Sequence, residues 1–200
     1  MKTYVSKLNL FSFVGLFSLI ALVACSTSTT VAPTSASAAL SVPTVTIAAP
    51  ASVSDVTNVD ENGSTTIDQA ALSESFDQIA TGQLSNPEIE SILYMREEEK
   101  LARDVYLTLY EAWGLPVFQN IARSEATHME AVKTLIDRYG LADPVAQEIG
   151  VFTDPTLQQL YDQLVADGSN SLADALKVGA AIEEIDILDL EERIAQTDKP

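Results

Sequence analysis

Apolar residues recur in steps of three and four along three stretches of the C-terminal half. The first runs Ile92, Met95, Glu99, Ala102, Tyr106, Leu109, Trp113. The second runs Phe118, Ile121, Glu125, His128, Val132, Leu135, Tyr139, and the third Leu172, Leu176, Gly179, Glu183, Asp186, Leu190. That spacing marks the core-facing seam of a helix. Local signals set the ends. Asn86-Pro87-Glu88 opens the first helix, which runs to about Ala112 before Gly114 and Pro116. The second runs from about Pro116 to Tyr139, with Gly140 beyond its end. Asp154-Pro155 starts a short helix that stops before Gly168, and Ser171 with Asp174 caps a last helix reaching about Ile194. The connection between the second and last long helices is some thirty residues, which suits the long crossover of a helical bundle. The expected fold is all-α.

The N-terminal part differs in composition. Lys2 and Lys7 precede an apolar run from Leu8 to Ala24, and the run ends in Leu22-Val23-Ala24-Cys25. A charged start, an apolar core and small residues at the cut make a secretory signal over residues 1–24. The tetrad resembles the bacterial lipobox, which implies lipidation of Cys25 and a membrane-anchored protein of the cell envelope. Residues 25–84 read as a flexible tether: Ser, Thr, Ala, Val and Pro to about Val59, then an acidic and polar stretch with one weak helix over Ile67–Ile79. The helical domain takes up residues 85–200.

The chain carries 29 acidic and 11 basic side chains, a formal net charge of −18. Removing the signal takes Lys2 and Lys7 with it and leaves the mature chain more acidic still. Such a surface does not displace counterions from phosphate, so nucleic acid is excluded as a partner. One cysteine and one histidine leave no disulfide framework and no cysteine-rich zinc site. There is no Walker loop and no Gly-x-Ser-x-Gly elbow. A metal site here must rest on carboxylates.

The seams supply them. Each long helix carries ionisable groups where a core residue belongs: Glu99 on the first, Glu125 and His128 on the second, Glu183 and Asp186 on the third. Burying an isolated carboxylate costs several kcal/mol unless something compensates, and three helices bringing acids to one core level point to a shared cation. Carboxylate oxygen and imidazole nitrogen suit iron, manganese or zinc. Glu125-x-x-His128 places both side chains on one face, and this motif with single Glu residues on neighbouring helices builds carboxylate-bridged di-metal sites in bundles. Glu97 and Glu98, next to Glu99, read as a solvated helix face. Asp186 either ligates or pairs with Arg103 or Arg123. Tyr106, two turns beyond Glu99, either orients a carboxylate or simply fills the core. Trp113 and Tyr139 read as core residues near helix ends.

Glu99-Lys-Leu-Ala-Arg-Asp-Val-Tyr106 and Ile121-Ala-Arg-Ser-Glu125-Ala-Thr-His128 resemble the first two helices of rubrerythrin-type ferritin-like proteins, and Leu176 with Glu183 and Asp186 resembles the third. Met95–Tyr106 together with Ser124–Met129 resembles more closely the ferritin-like family catalogued as domain of unknown function 2202. The resemblance covers about residues 86–196. It implies an antiparallel ferritin-like bundle binding two ions, iron or manganese, through Glu99, Glu125, His128, Glu183 and Asp186. The pattern also calls for a fourth long helix with a second metal-binding histidine, which these residues lack. A chain cut short after Pro200 is the preferred explanation; a helix supplied by a partner in a homodimer, or an incomplete site, are the others. An open apolar flank is expected in consequence. Two functions follow: a metal-dependent oxidoreductase acting on peroxide or dioxygen with an external electron donor, or a non-catalytic envelope lipoprotein that binds metal or holds a partner.

Overall fold

Eight consecutive residues, Met95 to Ala102, are buried around the full circumference of one helix. That helix, α2 (Asn86–Trp113), is the axis on which three of the others pack in a computed structural model that describes residues 56–61 and 64–197. Among the described residues the fold is mostly helical. Five helices pack against one another: α1 (Gln69–Asp77), α2, α3 (Pro116–Tyr139), α4 (Pro155–Gly168) and α5 (Leu172–Ile194). None of them is long and apolar enough to cross a membrane. The signal segment, Cys25 and residues 25–55 of the expected tether lie outside the described residues.

The helix ends fall where the punctuation placed them. Ser85 and Glu88 form a reciprocal capping box at the start of α2, and Asp154 and Ser171 cap α4 and α5 with their side chains. Gly114 and Gly140 close α2 and α3 at φ +62° and +63°, where a side chain is disfavoured. Leu101, Val105, Leu109, Leu157, Leu164 and Ile182 fill the core that α2 shares with α4 and α5.

Three expectations need correction. First, the tether does not extend to residue 84. Thr57–Val59 (β1) and Thr65–Ile67 (β2) pair antiparallel, and α1 realises the weak helix. The hairpin docks on α3 by polar contacts: the Thr65 amide donates to Ser124 Oγ at 2.9 Å, and Thr127 Oγ1 donates to the Thr65 carbonyl. Backbone groups satisfied in this way do not need an apolar pattern.

Second, Glu97 and Glu98 are not a solvated face; they are 3% and 2% exposed. Glu97 accepts from the Thr153 and Asp154 amides at 2.6 and 2.9 Å, and Arg96 donates to Asp143 and to the Met129 carbonyl. Lys100 donates to Asp104 and to the carbonyls of Glu148 and Val151. The charged run holds the backbone of the crossover, which has no ladder of its own.

Third, the inward residues of α5 are Ala175, Val178, Gly179 and Ile182, whereas Leu172, Leu176 and Leu190 are exposed. The small residues win because they admit α2 closely: a Cβ on Gly179 would stand 3.2 Å from the Tyr106 ring. Leu172, Leu176, Ile187, Leu190 and Ile194 instead lie exposed along one side of α5.

Candidate metal centre

Glu99 comes from the middle of α2, and Glu125 and His128 come from the face of α3 packed against it. One donor atom from each lies within 4.8 Å of the others, and among the described residues this is the group of three able to hold a metal ion. His128 Nδ1 is 3.0 Å from Glu125 Oε2 and 3.5 Å from Glu99 Oε2. Both carboxylates are buried, and the imidazole keeps 31% of its side chain open to solvent. Glu99 Oε2 is a buried acceptor with no hydrogen-bond donor.

The outer face of α3 is held as well, by the hairpin and α1. Ser124 and Thr127, each next in sequence to a member of the group, take the contacts from β2. Gln69 of α1 reaches the Thr127 carbonyl and the Thr134 hydroxyl. The hairpin and α1 thus fix α3 from behind.

Glu183 and Asp186 of α5 stand beside this group, outside the tight cluster. Tyr106 Oη donates to Glu183 Oε1 at 2.7 Å and to the Gly179 carbonyl at 3.1 Å. Tyr106 is both of the things the sequence allowed: a fully buried core ring and the donor that orients a carboxylate. Asp186 pairs with neither arginine, since Arg103 binds Asp104 and Arg123 meets Asn120. Its Oδ1 is buried without a donor.

The electrostatics follow from crowding acids in a dry place. Burial raises the Glu99 carboxyl above the usual range against the pull of His128. His128 is pushed up to about 10, first by its hydrogen bond to Glu125 and then by the neighbouring Glu99 carboxylate. Asp186 rises to about 7, from burial first and then from the Glu99 and Glu125 charges. Glu183 is raised by burial, with the Tyr106 hydrogen bond opposing. Without a cation, a proton on His128 is what compensates the two carboxylates. A metal ion at the same place takes over that role, and the imidazole must give up its proton to ligate. The orphaned Glu99 oxygen and the nitrogen-plus-carboxylate donor set fit such an ion.

Sequence reasoning missed a second set of acids. Glu98 is raised to about 10 by burial and by a carboxyl–carboxyl contact with Asp189, which in turn accepts from Tyr94 Oη at 3.1 Å. The signal was present: Asp189 lies three residues after Asp186, on the same face of α5, and Glu98 adjoins Glu99.

Residues 88–200 match the family described as an uncharacterized protein domain (DUF2202). The chain belongs to that family. The DUF2202 match takes in Glu99, Glu125, His128, Glu183 and Asp186 and leaves out the hairpin and α1. Uncharacterized protein MJ0754 of Methanocaldococcus jannaschii is 57% identical over 116 residues, covering 58% of this chain and 63% of that protein. The chain thus spans less than two thirds of that relative's length. No solved structure matches it.

Proposed function

We propose that this DUF2202 protein is a metal-binding member of the ferritin-like bundles, with iron or manganese held by Glu99, Glu125 and His128, and that its centre reduces peroxide or dioxygen. The observation that carries the metal reading is the three-donor group of two buried carboxylates and a half-buried imidazole, in which Glu99 Oε2 meets no hydrogen-bond donor. A bound redox-active ion would supply the electron transfer to the oxidant. Reduction of hydrogen peroxide to two waters takes two electrons and two protons, and the electrons come from an external donor.

The chain's own residues supply the rest. Glu99 and Glu125 bring negative charge to the ion, and neutral His128 brings nitrogen. Tyr106 holds Glu183 at the rim, where a small oxidant reaches the partly open His128. Asp186, which titrates near neutrality, holds a proton beside the group. Glu183 and Asp186 are the further ligands, and the centre is proposed to hold two ions.

The single cysteine favours a second reading, since no Cys-x-x-Cys electron-passing module exists in these residues. There the bundle binds metal without turnover or uses its apolar flank for a partner. The protein is further proposed to act at the cell envelope through a lipid on Cys25; mass spectrometry of the native N-terminus tests that. Metal analysis and electron paramagnetic resonance, followed by peroxide consumption with a reduced dye as donor, test the enzyme. Metal bound without peroxide loss supports the second reading, and absence of bound metal removes the enzyme and leaves only the partner-holding flank.

A further inference from the structure

Residues 64–79 lie outside the part of the chain that matches the family, yet they touch α3 along most of its length. The Ser64 hydroxyl donates to the Asn120 carbonyl at 3.2 Å, and the Thr65 amide donates to Ser124 Oγ at 2.9 Å. Thr127 Oγ1 donates to the Thr65 carbonyl, and the Gln69 side-chain amide donates to the Thr127 carbonyl. Farther along, Arg138 donates to the Ile79 carbonyl and pairs with Asp77. Helix α1 has no buried residue, so its seat on α3 rests largely on polar contacts.

The middle of this seat falls on the turn that carries the metal ligands. Ser124 precedes Glu125 and Thr127 precedes His128, so the two hydroxyls lie roughly a third of a turn round the helix from the ligands. Both hydroxyls are engaged twice. Ser124 Oγ accepts from the Thr65 amide and donates to the Asn120 carbonyl. Thr127 Oγ1 donates to the carbonyls of Ser124 and Thr65. The carbonyls of Asn120, Ser124 and Thr127 thus all take hydrogen bonds from side chains on the outer side of α3. A helix carbonyl drawn outward lengthens its ladder bond and bows the helix, convex on that side. The concave side is then the one that packs on α2, where Glu125 and His128 meet Glu99.

We propose that the hairpin and α1 are a clamp for the metal centre, with Ser124 and Thr127 as positioning residues that set Glu125 and His128 against Glu99. The inference rests on the metal-centre reading. What it adds is that affinity for the ion depends on a segment that supplies no ligand. Ligand distances must hold within about 0.2 Å, so a small change in the bow of α3 weakens the site. The polar seat also makes the clamp separable, because losing it leaves α2 and α3 packed together.

The experiment titrates manganese(II) into the full chain in detergent by calorimetry and records the electron paramagnetic resonance spectrum of the bound ion. Thr65→Pro removes the amide donor, Gln69→Ala removes the amide side chain, and both leave every residue of α3 unchanged. Each is expected to weaken manganese(II) binding about ten-fold, the lower end of the range for residues that orient ligands, and to shift the zero-field splitting of the bound ion. Ser124→Ala does the same, and Ser124→Thr, which keeps the hydroxyl, restores the wild-type affinity and spectrum. Circular dichroism establishes that each variant is folded at the titration temperature; if Thr65→Pro is not, Gln69→Ala carries the same expectation. A lower melting temperature with unchanged affinity and spectrum overturns the clamp and leaves the metal centre standing. A wild type that binds no manganese overturns the metal centre, and the clamp with it.

Discussion

His128 Nδ1 lies 3.0 Å from Glu125 Oε2, one turn back on the same helix, and 3.5 Å from Glu99 Oε2 on the neighbouring one. Two carboxylates from different helices converge on a single ring nitrogen. A proton can occupy that point, and so can a metal ion, and the two occupants respond differently to the same substitution.

Glu125→Ala separates them. The lost hydrogen bond to His128 costs about 1–3 kcal/mol in either case. With a metal centre, bound metal also falls sharply, and the gain in melting temperature on adding metal shrinks, because binding to the native state no longer stabilises it. Equal metal content in wild type and variant, measured by plasma mass spectrometry, would contradict the centre.

Tyr106→Phe removes one oxygen atom and leaves the ring packed against Gly179. The expected loss of stability is about 1 kcal/mol. Metal affinity falls about ten-fold or more, because a side chain that orients a ligand carries that much of its binding. Isothermal titration with manganese(II) reads the affinity, and chemical denaturation reads the stability. A stability loss with unchanged affinity would confine Tyr106 to the core.

Lys100→Met tests the buried charges that hold the crossover. Lys100 is wholly buried, donates to two loop carbonyls and Asp104, and stands over the Phe152 ring. Methionine fills the volume and strands Asp104 with Arg103 and the Gly150 amide alone. Removing one partner of a buried pair costs about 3–5 kcal/mol. Urea denaturation checks this, and a loss below about 1 kcal/mol would show that the pair behaves like a surface one.

The pH dependence of the metal-free protein has a definite sign. His128 keeps its proton to about pH 10 in the folded state through Glu125 and Glu99, whereas an unfolded histidine releases it near 6.5. Its contribution is therefore complete below that unfolded value and is lost as pH rises through about 10. Asp186 and Glu98, raised to about 7 and about 10, act in the same direction. The folded state holds protons that the unfolded chain gives up in the ordinary carboxylate range, so stability falls as pH climbs. Metal binding needs those protons gone and strengthens over the same interval. In chelator the melting temperature is expected to be lower at pH 8 than at pH 5.5, and added manganese(II) raises it more at pH 8. Calorimetry showing higher stability at pH 8 in chelator would reverse the assignment.

The helix ends were legible because glycine, proline and capping side chains act within a few residues of themselves. The group of Glu99, Glu125 and His128 was legible because two acids and a histidine interrupt seams that are otherwise apolar. What escaped depended on neighbours distant in sequence. Glu97 looks like solvated charge until the crossover brings the Thr153 and Asp154 amides to it. Helix α5 has leucines on one stripe and Ala175, Val178, Gly179 and Ile182 on another, and periodicity alone prefers the leucines. The hairpin is threonine-rich, three residues per strand, and held by serine and threonine hydroxyls of α3, so it leaves no hydrophobic trace.

The continuous burial of Met95 to Ala102 bears on how the molecule breathes. A helix covered on every side offers no edge from which local opening can start, so its amides exchange with solvent hydrogen only when the whole domain opens. Glu98 and Glu99 lie within that stretch. The slowest-exchanging amides of the protein therefore share a helix segment with Glu99 of the candidate metal centre. A bound ion would slow their exchange by the full amount it adds to global stability, while the amides of the exposed apolar end of α5 continue to exchange through fraying.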